Sequence, residues 1–306
     1  MSNTRLANVS HVPTPWLGEE RGSAADWATQ LWVRSTGRRI DLRLQPWLAG
    51  PVGNTIAVGR DFFDSLAARE GLVARRSEAG GLLPTLDALA GSGFDPTHVH
   101  PAVRTFYERT SEYELEAWAE WCGVFRPFGR LLALLFSRRL QQLNVPLSGL
   151  DVRLGTTSDV IQLVDPTSGE LRYTGWLRTL RATGNVLYAG SYSVARVPGF
   201  DRPCVKVVFP LPNGNAQVFL RPETATDGSL TVTSSGRSFG DPGFYFTVHR
   251  RGRVWARYVR TMRESIRVFV DGADVRADHV MWLWGATFLR LHYRLRPKPG
   301  TGVRVA

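Results

Sequence analysis

From residue 151 onward, short runs of β-forming residues alternate with turn residues. Runs at 160–164, 171–180, 186–197, 204–210, 216–220, 229–234, 244–248, 254–259, 265–270, 274–282 and 287–295 predict about ten consecutive strands. Pro212-Asn213-Gly214-Asn215 is the clearest hairpin signal, with Asn-Gly read as the source of positive φ in a tight primed turn. Asp227-Gly228, Arg251-Gly252 and Asp271-Gly272 mark further turns, and Trp284-Gly285-Ala286 joins the last two runs. No helix-length crossover separates the runs, so the pairing is expected to be antiparallel. A sheet this wide must curl, close or split into layers. In the last run Leu289, Leu291, Tyr293 and Leu295 share one face, and Phe288, Arg290, His292 and Arg294 share the other. In 171–178 and 253–259 the apolar residues do not keep one parity.

The N-terminal half reads as helical. Short helices are predicted over 24–33, 61–71 and 83–89, with prolines and glycines between them. The longest helical stretch is 101–143, opened by Pro101. Within it Glu112, Glu116 and Glu120 recur every four residues, as on one helix face. Pro127 breaks it, and 129–143 resumes as an apolar helix that should be buried. The expected fold is α+β: a helical N-terminal half, then a C-terminal curved antiparallel sheet or barrel of about ten strands around a buried helix. The expected division is a loop-rich segment at 1–95, a helical segment at 96–147 packing on the sheet, a β domain at 148–296 and a flexible tail at 297–306.

The 306 residues carry a formal charge of +11, with a pI near 10.4. Of the basic residues only Lys206 and Lys298 are lysine; the others are arginine, scattered in doublets such as Arg38-Arg39 and Arg250-Arg251. Without a dense basic tract, this balance disfavours nucleic acid while leaving an anionic partner open. The longest apolar run, 131–136, is far short of the ~20 residues that cross a bilayer. The first residues lack the apolar core of a secretory signal, so a soluble cytoplasmic protein is expected. Cys122 and Cys204 form no C-x-x-C pair and are expected to be reduced and partly buried.

Three segments follow in order: Phe106-Tyr107-Glu108, then Ser137-Arg138-Arg139-Leu140-Gln141-Gln142-Leu143-Asn144-Val145-Pro146, then Val207-Val208-Phe209-Pro210-Leu211-Pro212-Asn213-Gly214. This order, over roughly residues 94 to 296, resembles an uncharacterised bacterial family, mostly actinobacterial, and implies no activity. The layout is also similar to lipocalin-like barrels and helix-grip folds, without a diagnostic motif of either.

Candidate chemistry is sparse. His98 and His100 have a spacing that could hold a metal on an extended segment, with capping as the simpler reading. No metal site and no cofactor are expected. His279 and His292, on the last two strands near Asp278, are candidate general bases, and Glu120 is a candidate carboxylate partner. The loop 234–243 is rich in Gly and Ser and could cradle an anion, although it fits no P-loop. Aromatic residues crowd the β half. Trp176, Arg178, Tyr192 and Arg290 are the candidate ligand-binding residues. The first expectation is therefore binding of a small hydrophobic or amphipathic ligand between curved sheet and helix. The alternatives are an enzyme using that pocket for acid–base chemistry on a hydrophobic substrate, or a basic protein that meets nucleic acid or an anionic surface. Oligomeric state cannot be read from the sequence.

Overall fold

Among the described residues, fourteen strands build one antiparallel sheet that does not close into a barrel. The computed structural model describes residues 24–53, 58–126, 156–181 and 184–301. The N-terminal elements are α1 (Ala24–Thr36), β1 (Arg38–Ile40), α2 (Phe62–Glu70), β2 (Val73–Arg76), α3 (Pro101–Glu108) and β3 (Tyr113–Trp121). The strands that follow are β4 (Thr156–Val164), β5 (Leu171–Leu180), β6 (Val186–Arg196), β7 (Pro203–Leu211), β8 (Gly214–Thr224) and β9 (Leu230–Thr233). The last five are β10 (Phe244–Arg250), β11 (Arg253–Val259), β12 (Met262–Asp271), β13 (Asp274–Leu283) and β14 (Ala286–Pro297).

The main path runs β2-β4-β5-β6-β7-β8-β9-β12-β13-β14-β3. It branches at β8. Residues 214–218 of β8 pair with β10, which leads to β11 and β1, while residues 221–224 pair with β9. The sheet curls so far that β3, at one edge, meets β5. The Arg178 Nη2 group approaches the Leu115 carbonyl at 3.5 Å, and Arg181 lies 3.6 Å from Glu114.

The expected antiparallel sheet is present, but the α+β reading with a helical N-terminal half is corrected. Among the described residues the fold is mostly β, with three short α-helices mainly toward the N-terminus. The largest difference is at 113–121, expected as helix and found as the edge strand β3, paired along its length with β14. Tyr113, Leu115, Ala117, Ala119 and Trp121 alternate with outward Glu114, Glu116, Trp118 and Glu120, and that period of two suits a half-buried strand. The apolar helix expected over 129–143 lies outside the described residues. Among the described residues, segment 82–115 fills the inner face of the curl. Leu83, Leu86, Leu89, Val103, Phe106 and Tyr113 pack against Val160 of β4, Val207 of β7, Val275 of β13 and Leu295 of β14. Strands so far apart in the sheet can share one core only because the sheet is strongly curved.

Two smaller cores cover the opposite face. Phe62, Phe63 and Leu66 of α2 pack on Ile161, Leu163 and Leu177. Leu48, with half-buried Trp47, packs on Phe219, Tyr245 and Tyr258. β5 is thus buried on both sides, which removes the alternation a one-sided strand would show. Its Gly175 is required by α2, since a Cβ there would stand 2.5 Å from the Phe63 ring.

The β7–β8 hairpin forms where expected, by a different turn. Leu211 pairs with Gly214, so the central residues are Pro212 and Asn213. Only Asn213 has positive φ, at 58°, and proline holds φ near −65°, so a type I′ turn is excluded and type II geometry fits. Gly214 is needed for a different reason: a Cβ there would lie 2.0 Å from the Thr247 carbonyl oxygen of β10.

Candidate functional site

The inner face carries a polar group of side chains within an aromatic wall. Trp176 of β5 stands opposite Gly190 of β6, with Arg178 opposite Tyr188 and Thr174 opposite Tyr192. Residues directly opposite share a face, so Trp176, Arg178, Tyr188 and Tyr192 all point inward. Gly190 leaves room for the tyrosines, since a Cβ on it would lie 2.6 Å from the Tyr188 hydroxyl. The two hydroxyls meet at 2.6 Å. The Trp176 ring centre is 5.2 Å from that of Tyr188 and 5.9 Å from that of Tyr192, both edge-on, and its indole N–H donates to Ser158 at 2.9 Å.

From the other side of the curl, β12, β13 and β14 bring Met262, Glu264, Ile266, His279, Met281 and Tyr293 to the same face. Tyr293 stands between Ala277 and Ala117, whose small side chains leave its ring room. Glu264 is opposite Met281, and its Oε2 reaches diagonally to His279 Nε2 at 2.8 Å. Both are largely buried. The backbone N–H of Glu264 also donates to Ser234 Oγ at 2.8 Å.

Arg178 is the unusual member. It is 8% exposed, and among the described residues its Nε has no hydrogen-bond partner while its Nη2 makes one long approach, to the Leu115 carbonyl. Its guanidinium stands 5.8 Å from the Trp176 ring centre. Burial pulls its pKa below the usual arginine value, while the Tyr293, Tyr188 and Tyr192 side chains partly restore it. The same burial raises the Tyr188 and Tyr192 hydroxyls and pushes Tyr293 up to about 12. All three phenols are therefore neutral donors at physiological pH.

Trp176, Arg178 and Tyr192 thus come together as the sequence suggested, and His279 joins them. The rest of the expected set does not. Glu120 is on the outward parity of β3, 3.8 Å from Arg126. Arg290, opposite Glu120, and His292, opposite Trp118, are also outward and exposed on β14. His279 does not share a site with His292 and Glu120: it faces inward on β13, whereas those two lie on the outward parity of β14 and β3, across the thickness of the sheet. His292 has its own carboxylate, Asp278, at 2.6 Å on the outer face. Glu116 meets Arg296 there at 3.6 Å, in a ladder of exposed charge pairs. Glu264 is the residue that sequence reasoning missed. The signal was present: in Met262-Arg263-Glu264-Ser265-Ile266-Arg267-Val268, glutamate occupies the parity otherwise held by apolar residues.

The remaining candidates resolve into local structure. His100 caps α3, its Nδ1 accepting from the Ala102 N–H, and His98 is exposed. No group of three metal-ligating side chains occurs among the described residues. The 234–243 loop binds its own carboxylate, with Asp241 Oδ2 accepting from the N–H groups of Arg237 and Ser238. Cys204 is buried, which pushes its thiol up to about 12, and Cys122 is half-buried; both are free thiols.

The chain is 28% identical, over 240 residues and 78% of its length, to the uncharacterized membrane protein YndJ of Bacillus subtilis. It spans 41% of that relative's length. This similarity supports an uncharacterised bacterial family and carries no information on an actinobacterial origin. No family profile and no solved structure matches the chain. Among the described residues no helix is long and apolar enough to cross a membrane.

Proposed function

We propose that the inner face of the curled sheet binds a small amphipathic molecule, with its acidic end at Arg178. Arg178 carries the reading. A buried guanidinium that meets no carboxylate among the described residues is costly, and a ligand carboxylate or phosphate would supply the missing charge-assisted hydrogen bonds. Tyr188, Tyr192 and Tyr293 offer neutral hydroxyls beside it. Half-buried Phe209, Met262, Ile266 and Met281, packed on the inner core, offer apolar and partly adaptable surface for the rest of the molecule. The similarity to a protein named as a membrane protein is compatible with a lipid-derived ligand.

The experiment uses Arg178→Met. Replacing an unpaired buried charge with an apolar side chain of similar length should raise the melting temperature of ligand-free protein. It should also abolish binding of a long-chain fatty acid, followed by displacement of a fluorescent fatty-acid probe. Equal binding by the variant and the original chain would sink the proposal. So would native mass spectrometry finding no retained small molecule in protein from its own host.

A second reading rests on the Glu264–His279 pair. Glu264 would orient the imidazole and leave Nδ1 to accept a proton from a bound hydrophobic substrate. Its test is incubation of the recovered native ligand with the protein and with His279→Gln. Product forming equally in both would remove the enzymatic role. A cytoplasmic location belongs to the same proposal, and fractionation of the native host, with the protein found only in membranes, would refute it.

A further inference from the structure

The turn joining β13 to β14 holds a tryptophan where asparagine or glycine is the natural occupant. Leu283 pairs with Ala286, so Trp284 and Gly285 are its central residues, and both have positive φ, 52° and 83°. That is the geometry of a primed two-residue turn, in which a bulky first residue keeps a left-handed backbone at a cost. No packing offsets the cost, because Trp284 is 73% exposed. A strained tryptophan that buries little is a pointer to function.

Its surroundings share its character. The Trp284 N–H donates to the Thr261 carbonyl at 2.8 Å, so the turn rests on the connection between β11 and β12. On the other side, the Cys122 N–H donates to the Phe288 carbonyl at 2.9 Å, which carries the chain beyond β3 to the same end of the sheet. There Val124 is 75% exposed, while Phe125 beside it turns back onto Phe288, with ring centres 6.0 Å apart. Two apolar side chains thus project into solvent from one end of the sheet. The segments that build this end, 121–126, 260–263 and 282–290, contain four arginines and no aspartate or glutamate. Arg126 is engaged by the Trp121 carbonyl and by Glu120. Arg260, Arg263 and Arg290 are exposed, and among the described residues none of them forms an ion pair or a side-chain hydrogen bond. Apolar tips with unpaired cations behind them match the two layers of an anionic bilayer surface: indole settles at the level of the headgroups, and guanidinium meets their phosphates. Projecting tips suit a fluid apolar layer, which needs no matching shape.

We propose that this end of the sheet docks reversibly on an anionic phospholipid surface, with Trp284 and Val124 entering the headgroup layer. The test is co-sedimentation of the full chain with phosphatidylcholine vesicles, with and without phosphatidylglycerol. Binding is expected with phosphatidylglycerol and should fall as salt is raised. Trp284→Asn should weaken it about tenfold or more, the loss of one apolar side chain from the bilayer. Asparagine suits the left-handed position, so this variant should melt no lower than the original chain, which separates lost binding from lost folding. Val124→Ser, at an exposed site, should also weaken binding. Arg263→Gln should weaken it about fivefold. The proposal is overturned if the chain stays in the supernatant with both kinds of vesicle, if phosphatidylglycerol makes no difference, or if Trp284→Asn and Val124→Ser sediment as the original chain does. It is also overturned if sedimentation velocity without lipid finds a dimer that Trp284→Asn dissociates, since a second copy would then cover the tips.

Discussion

Lys206 should make this protein more stable as the pH rises through the range above neutrality. It lies on β7, is 5% exposed, and points into the small core under the 46–49 turn. Its ammonium donates to the Trp47 carbonyl at 2.8 Å and to the Ala49 carbonyl, and stands 5.5 Å from the Phe219 ring centre. Burial pulls its pKa down from 10.5 to about 7. Below about pH 7 both folded and unfolded chains hold the proton, and the folded chain bears the full penalty of a buried charge. Between about 7 and 10.5 the unfolded chain binds a proton that the folded chain has released, so folding becomes more favourable as pH rises, by up to ~1.4 kcal/mol per pH unit. Lys206→Met removes that titration. It also leaves two carbonyls without a donor, a loss of about 1–3 kcal/mol each that does not vary with pH. The measurement is urea unfolding of both proteins at pH ~6.5, ~8 and ~9.5. Stability of the original chain relative to the variant should rise by about 3 kcal/mol between the outer two values. Parallel curves would refute the reasoning, because Lys206 would then titrate alike in both states.

Three further substitutions test the packing. Gly81→Ala would place a Cβ 2.2 Å from the Glu108 backbone, which no rotamer change relieves, so it should destabilise by about 1–3 kcal/mol or more in chemical denaturation. Trp284, 73% exposed with φ of 52°, occupies the first position of the β13–β14 turn. Trp284→Asn should stabilise by about 0.5–1 kcal/mol, and a lower melting temperature would contradict the turn assignment. Tyr188→Phe leaves the Tyr192 hydroxyl without its partner and should cost about 1–2 kcal/mol, read by the same denaturation.

The strand pattern past residue 151 was legible because turn residues punctuate it and β14 alternates cleanly. β3 was not, for a geometric reason. Residues four apart share a face in a helix and also in a strand, so Glu112, Glu116 and Glu120 cannot distinguish the two. The residues between them can: Leu115, Ala117, Ala119 and Trp121 keep the parity of a strand. β5 concealed its faces because α2 and the inner core cover both. In the candidate site, Trp176, Arg178 and Tyr192 were picked from the crowding of aromatic residues in the β half, and the pairing of β5 with β6 is what puts them on one face. Glu264 was missed although it interrupts an apolar parity, and that His292 and Glu120 lie across the sheet from His279 could not be seen because face depends on register. The convergence of Val124 with the Trp284 turn was invisible in sequence, since it depends on the pairing of β3 with β14.

The pairing of β3 with β14 has a consequence for synthesis. On the ribosome β3 emerges about 165 residues before its partner β14 (from residue 121 to residue 286). At roughly 5–20 residues per second the nascent chain carries an unmatched strand for about ten seconds or longer. Its outward glutamates discourage pairing with strands of other nascent chains during that wait. Truncation before residue 286 should therefore release a polypeptide that chaperones retain, because the long-range closure that seals this edge could never occur.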